Sequence, residues 1–333
     1  MTRTDATGVL VLSRGEIERL MSFGDYVEAV EAGFKAAAEG RAVAPPALSL
    51  GVEGGAFHAK GAALPRGERL YVAMKINGNF PENRARRGLP TVQGAIYLAD
   101  ASNGVPLAVM DSIGVTIERT GAATAVAARY LARRDARAAF VCGAGVQGRV
   151  QLRAVKHACP IERAWVFDLN AKAAATLAER MSAELGIPVT PTADLAGAPD
   201  CDVIVTCTSA RRAFLTPDHV RPGTFVAAVG ADNHDKQEID PALFPRATVV
   251  VDSLEQCAEI GDLHHALDAG TITRERVHAT LAEIVAGRKP GRGSAEEIIL
   301  FDSTGLGLQD VAAAAVIYER ALARGVGSRL SLA

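Results

Sequence analysis

Hydrophobic and polar residues follow two different periods along this chain, and the change comes near residue 120. Before it, short runs alternate apolar and polar residues, the period of half-buried strands. Such runs cover 9–12, 47–52, 56–63, 70–77, 92–99 and 105–111. The last two are joined by Asp100-Ala101-Ser102-Asn103-Gly104, whose Asn-Gly is a hairpin signal. Ser13 is placed to cap a short helix over 14–21, and Asp25 a longer one over 26–39 that ends at Gly40. Strand following strand without helices between them predicts a mixed, mostly antiparallel sheet.

Beyond residue 120 the pattern becomes strand, helix, strand. An Ala-rich helix is predicted over 118–132, an apolar strand at 138–142 and an amphipathic helix over 146–158. Asn170 is placed to cap a further helix ending near Gly186, and apolar strands follow at 203–206, 225–229, 248–252 and 298–302. Alternation of this kind predicts a doubly wound parallel sheet of the Rossmann type. A last Ala-rich helix, 308–323, is expected to return to the first unit. The fold class is therefore α/β, with residues 1–120 plus 308–333 expected to form one domain and 121–307 a second, Rossmann-type domain.

Gly143-Ala144-Gly145-Val146-Gln147-Gly148 joins the strand at 138–142 to the helix that follows it. Asp168 ends the next apolar run, twenty residues beyond Gly148. In that frame each part has a job. Gly143 permits the tight turn, Gly145 lets backbone approach a pyrophosphate, and Gly148 lets helix pack on strand. The helix N-terminus, at Val146 and Gln147, offers free N–H groups and a positive dipole end. Asp168 is suited to accept from both ribose hydroxyls and to repel a 2′-phosphate, which favours NAD over NADP. Lys172 stands close enough to soften that preference. Thr208 and Ser303, each just past a predicted strand, are further candidate cofactor contacts.

Composition narrows the function classes. A chain of 333 residues with 49% hydrophobic and 22% charged residues can bury the cores of about two domains. Net charge is −2 and no basic block stands out, which argues against nucleic acid and anionic membrane as partners. The start, Met1-Thr2-Arg3-Thr4-Asp5, lacks a signal-peptide apolar core, and no run reaches the ~20 apolar residues of a membrane span, so a cytoplasmic protein is expected. Five cysteines without a C-x-x-C pair fit reduced structural thiols.

Several polar residues interrupt the strand pattern. Lys75 lies on one face of its strand with Tyr71, Ala73 and Asn77, opposite Val72, Met74 and Ile76. It either faces water at a sheet edge or is desolvated with a lowered pKa, fit for proton exchange with a substrate nitrogen or for holding a carboxylate. His58 and Lys60 share a face of the preceding strand, which would set Lys60 near Lys75 in a cationic pocket, unless that face is simply wet. Arg119, at the start of the predicted helix, suits bidentate carboxylate binding or a surface position. Asp232 follows the strand at 225–229 and can serve as a base at a strand's carboxyl end; Asp235, Glu238 and Asp240 are read with it as loop acids. His264-His265 reads as a helix-surface pair, since no acid or cysteine stands at ligand spacing, and no metal is expected.

Taken in order, Lys75-Ile76-Asn77, Gly88-Leu89-Pro90-Thr91, Arg119-Thr120-Gly121-Ala122, the glycine fingerprint, Val229-Gly230-Ala231-Asp232 and Phe301-Asp302-Ser303-Thr304-Gly305 span nearly the whole chain. In these motifs the sequence resembles the ornithine cyclodeaminase/mu-crystallin superfamily, which also holds archaeal-type alanine dehydrogenases and cyclic imino-acid reductases. The resemblance implies that 1–120 plus 308–333 is a substrate-binding and dimerisation domain and 121–307 the NAD-binding domain, in a homodimer built through the N-terminal sheets with active sites between the domains. It implies that Lys75 handles substrate and proton, that Arg119 binds the α-carboxylate, and that Asp232 is the base of cyclodeaminases. Many members carry an arginine after the first Pro-rich turn; here Pro45-Pro46-Ala47-Leu48 has none, and His58 or Lys60 is left to replace it. Asp232, which mu-crystallin-like ketimine reductases tend to lack, leans toward alanine-dehydrogenase-like or cyclodeaminase-like chemistry.

The expected activity is NAD-dependent hydride transfer at the α-carbon of an amino or imino acid. The alternatives are an ornithine cyclodeaminase, which recycles NAD, and a non-catalytic ligand-binding protein.

Overall fold

The computed structural model describes residues 8–332. The chain divides into two compact units: one takes the described residues up to Arg119 and resumes at Leu306, and the other is Thr120–Gly305.

The first unit holds a seven-stranded sheet. Its order is Ser328–Leu330, Val9–Leu12, Pro106–Asp111, Val92–Asp100, Arg69–Asn79, Gly55–Arg66 and Leu48–Val52. Neighbours are antiparallel except Val9–Leu12 against Pro106–Asp111, so the sheet is mixed and mostly antiparallel. The helices Phe23–Ala38 and Gly307–Arg324 pack on each other, and the second also packs on the strands Gly55–Arg66 and Arg69–Asn79. The two helices can cross closely because Gly33 has no side chain; a Cβ there would stand 3.2 Å from that of Ala312. At its start, Gly307 lies against the backbone of Gly61, where a Cβ would come within 2.6 Å of the Gly61 carbonyl oxygen. Glycine at 307 thus seats the helix's first turn directly on the sheet.

The second unit is an eight-stranded, wholly parallel sheet in the order Ala279–Thr280, Thr248–Val251, Ile299–Asp302, Phe225–Ala228, Val203–Thr206, Ala138–Cys142, Arg163–Phe167 and Val189–Thr192. Its central strands are buried on both faces, as their continuous apolar runs require. The fold is thus a Rossmann-type parallel sheet joined to a mixed sheet, as the two sequence periods predict.

Three local expectations need correction. The second helix starts at Phe23, capped by Ser22, and Asp25 is its third residue, reaching back to the Ser22 backbone N–H. The Ala-rich helix begins at Ser112 and runs to Leu131, so Arg119 sits inside it and not at its start. Strand propensity of Val115 and Thr116 hides this early start, which the packing of Val115 in the core decides. Glu238 is not a loop acid: it lies on the short strand Gln237–Ile239, paired with Arg211–Leu215, and is fully buried.

Candidate active site

The strand Arg69–Asn79 alternates as its sequence predicts, but the buried face is the one that carries the lysine. Tyr71, Ala73, Lys75 and Asn77 are buried, while Met74 and Ile76 are exposed. The helix Gly307–Arg324 covers the lysine face, and Lys75 keeps only 4% of its surface exposed. Lys60 stands directly opposite Lys75 on the neighbouring strand, and His58 opposite Asn77. His58 is half-buried, its Nδ1 3.2 Å from the Ser49 hydroxyl. Asn77 accepts a hydrogen bond from the Ser112 hydroxyl at 2.6 Å.

Two buried cations meet one buried acid here. The Lys75 ammonium lies 2.8 Å from Asp310 Oδ2, and Arg119 Nε donates to Asp310 Oδ1 at 3.0 Å. Arg119 Nη1 donates to Gln309 Oε1 at 2.6 Å. Burial foremost, and then the charge of Arg119, lower the Lys75 pKa to about 7, with Lys60 adding to the fall and Asp310 opposing it. Burial works to raise the Asp310 pKa, but Arg119 and Lys75 outweigh it and hold the carboxyl below its usual range. A lysine poised near neutrality can give or take a proton at working pH, and a guanidinium beside it can hold a carboxylate. Gln309 and Asp310 escaped the sequence reading. They sit in a helix whose apolar stripe explains its periodicity without them; two polar residues on the first turn of so Ala-rich a helix are the trace that could have pointed to them.

In the second unit the fingerprint has the expected geometry. Gly143 takes φ +114°, which favours glycine, and its carbonyl oxygen would lie 2.0 Å from a Cβ on Gly148. Gly145 and Val146 are exposed, no side chain caps the helix Val146–Ala158, and nothing stands within 4 Å of a Cβ built on Gly145. That leaves bare N–H groups of the first turn, with Gln147 among its residues, facing an open approach; these residues fit a pyrophosphate. Asp168, half-buried, accepts from the backbone N–H groups of Ala144 (2.8 Å) and Asn170 (2.8 Å), which fixes its carboxylate beside the glycine turn.

Two buried carboxyls brace the loops at the carboxyl ends of the parallel strands. Glu238 accepts from the N–H (2.6 Å) and hydroxyl (2.7 Å) of Thr208 and from the Gly230 N–H (2.9 Å). Glycine at 230 lets that carboxyl approach the backbone, because a Cβ there would fall 2.4 Å from it. Burial, and then the neighbouring Asp262, push the Glu238 pKa above the usual carboxylate range. Asp252 accepts from the hydroxyls of Ser303 (3.0 Å) and Thr304 (3.2 Å) and from the Gly305 N–H (2.7 Å). The structure therefore places Thr208 and Ser303 at strand ends but commits both hydroxyls to internal acceptors. Asp232 is exposed on the loop after Phe225–Ala228, paired with Lys236 at 2.7 Å. His264 is buried, against the expectation of a surface pair, its ring tilted against that of His265 at 3.7 Å and near His234 at 4.5 Å between ring centres. Among the described residues no group of three or more His, Cys, Asp or Glu could hold a metal ion.

Comparison with known proteins identifies the family. The model of the ornithine cyclodeaminase/mu-crystallin family matches residues 8–325. An alanine dehydrogenase of Archaeoglobus fulgidus is 39% identical over 322 residues, covering 96% of this chain and 98% of that protein. A solved archaeal alanine dehydrogenase dimer with bound NAD superposes with a TM-score of 0.93 at 39% identity, over 98% of this chain and 99% of that one. The Δ1-pyrroline-2-carboxylate reductase of Thermococcus litoralis, solved with NADH and L-proline, gives 0.92 at 38% identity, over 97% and 100%. With a family model spanning nearly its full length and relatives this similar end to end, the chain belongs to the ornithine cyclodeaminase/mu-crystallin family.

Proposed function

We propose that the protein moves hydride between NAD and the α-carbon of a small amino acid or a cyclic or open imino acid. It is an NAD-dependent oxidoreductase acting on CH–NH or CH–NH2 groups. The observation that carries the reaction class is Lys75, buried yet titrating near neutrality beside Arg119. NADH, when bound, supplies the hydride that adds to the imine carbon. As the C=N π pair moves to nitrogen, Lys75 gives that nitrogen its ammonium proton; in the oxidative direction the neutral amine takes it back. Arg119 holds the substrate carboxylate, with Lys60 adding positive charge and His58 standing in the same row of side chains. The glycine turn, Val146 and Gln147 hold the pyrophosphate and Asp168 the adenosine ribose. Asp232 serves as a base toward amine or water. No helix among the described residues is long and apolar enough to cross a membrane, and with its free cysteines the protein fits the cytoplasm.

Turnover with a panel of L-amino acids and cyclic imines, followed by nicotinamide absorbance and ammonia release together, tests this reading. The cyclodeaminase reading is the specific rival, because Asp232 suits it. Such an enzyme must hold a second ammonium, which a pocket carrying Lys60, Lys75 and Arg119 repels. With L-ornithine and catalytic NAD we expect no proline. Stoichiometric proline and ammonia without net absorbance change would replace the reductase reading.

NADH should exceed NADPH in kcat/KM by on the order of tenfold or more, since Asp168 faces the 2′-phosphate with like charge. Asp168→Ser should narrow the gap. Equal efficiency of the two cofactors in the wild type would remove Asp168 as the selector.

A homodimer through the first unit's sheet is supported by its outer face. Met74, Tyr97, Val109 and Val11 lie side by side across four strands, and each is exposed, from 37% to 43%. Ile76, Phe57, Leu50 and Leu48 extend that face at 41% to 68% exposure. An apolar sheet face of this breadth marks an interface. Light scattering at micromolar concentration should give twice the chain mass of 34.8 kDa, and Ile76→Glu with Met74→Glu should give monomer. A monomeric wild type would refute the interface.

A further inference from the structure

The Lys75 ammonium is gathered with charges from three elements. Lys60 faces it from the strand Gly55–Arg66, Arg119 from the helix Ser112–Leu131 and Asp310 from the helix Gly307–Arg324. Its partner on the fourth element, the strand Val92–Asp100, is the apolar Ile96. Three of these four charged groups are cations. Burial and the two neighbouring cations favour neutral Lys75, and Asp310 favours the ammonium.

The carboxylate also fixes geometry. One oxygen takes the lysine and the other takes Nε of Arg119, so a single side chain sets the distance between the proton-carrying nitrogen and the guanidinium. Gln309, one residue earlier on the same turn, takes Nη1. Two side chains of one helical turn thereby fix the orientation of the guanidinium. The whole arrangement is registered to the sheet by the contact of Gly307 with Gly61, three residues before Asp310.

We propose that Asp310 is the positioning residue of this site: it keeps Lys75 supplied with a transferable proton and sets the spacing of Lys75 and Arg119 to that between an α-nitrogen and its own carboxylate. The proposal rests on the reductase reading for its chemistry, but not for its test. A residue that merely filled space would leave the proton affinity of Lys75 alone.

The decisive variant is Asp310→Asn, which keeps shape and one acceptor and removes the charge. Imine reduction needs the ammonium, so the wild-type rate should fall as pH rises through about 7. In Asp310→Asn that fall should move one unit or more toward acid. At pH 7.5 the reduction should then be roughly tenfold or more slower, and much of the loss should be recovered by pH 5.5. Asp310→Glu, which keeps the charge and displaces it, should leave the Lys75 titration nearly in place while raising KM. Carbon-13 NMR of ε-labelled lysine, with the Lys75 signal assigned by its loss in Lys75→Met, follows the titration without any turnover. A downward shift in Asp310→Asn supports the proposal even if the wild type reduces no imino acid, in which case the reductase reading falls alone. An unshifted Lys75, or a loss of rate equal at every pH, overturns the proposal and leaves the reductase reading standing. Should Asp310→Asn not fold, an Asp310→Glu protein with unaltered KM overturns it equally.

Discussion

Lys75→Ala should lower kcat about a thousandfold or more while NADH binding stays within about twofold, since general acid–base catalysis is typically worth 10²–10⁴. The asymmetry follows from where the two functions lie. Lys75 belongs to the unit built on the mixed sheet, and the glycine turn with Asp168 belongs to Thr120–Gly305. On the proposed reading, removal of the lysine takes away the proton for the substrate nitrogen, and it leaves untouched the helix N-terminus proposed to hold the pyrophosphate. Folding should not suffer greatly. The lysine is buried at 4% exposure with its proton affinity already depressed, so its presence costs stability as well as giving some through Asp310. The check is steady-state kinetics beside a fluorescence titration with NADH. Near wild-type turnover in a folded Lys75→Ala protein would reduce Lys75 to a covered strand lysine.

The opposite pattern is expected of Gly148→Ala. A Cβ there would lie 2.0 Å from the Gly143 carbonyl oxygen and 3.1 Å from Leu177 Cδ2. Backbone cannot give way as a flexible side chain can, so the helix Val146–Ala158 must move off the strand Ala138–Cys142. Overpacking of this kind costs about 1–3 kcal/mol of stability. If the N–H groups at the helix start shift with it, NADH affinity falls by roughly tenfold to a hundredfold, the equivalent of about 1.4–2.8 kcal/mol. The geometry of Lys75, Asp310 and Arg119, which lies wholly in the other unit, should persist. Thermal melts with and without NADH, compared with the wild type, measure both effects. An unchanged melting temperature together with unchanged NADH affinity would mean that the close packing at Gly148 is dispensable.

The two sites differ in how far the sequence reveals them, and the reason is sequence distance. Everything in the dinucleotide fingerprint is local: turn, helix start and next strand follow one another between residues 138 and 168, so spacing alone encodes the geometry. Gly143, Gly148 and Asp168 accordingly sit where strand-helix-strand logic puts them. The alternation of the strand Arg69–Asn79 and the pairing of Lys60 with Lys75 are nearly as local, because a hairpin fixes its own register.

Alternation cannot say which face of a strand is covered. That was decided by a helix from the far end of the chain: Gly307–Arg324 lies on the lysine side and leaves Met74 and Ile76 bare. The same long-range packing supplied Asp310 and Gln309, which are more than 200 residues from Lys75 in sequence and belong to a helix that looks purely structural. Glu238 was hidden for a related reason, since only the closeness of the Thr208 and Gly230 loops turns a surface-type acid into a buried brace. The sequence by itself determined the two patterns of strand and helix, the family motifs and the glycine turn, whose physics is a matter of neighbours along the chain. Tertiary structure decided which charges share a desolvated space, because desolvation and Coulomb interaction depend on distance through the fold and not along the chain.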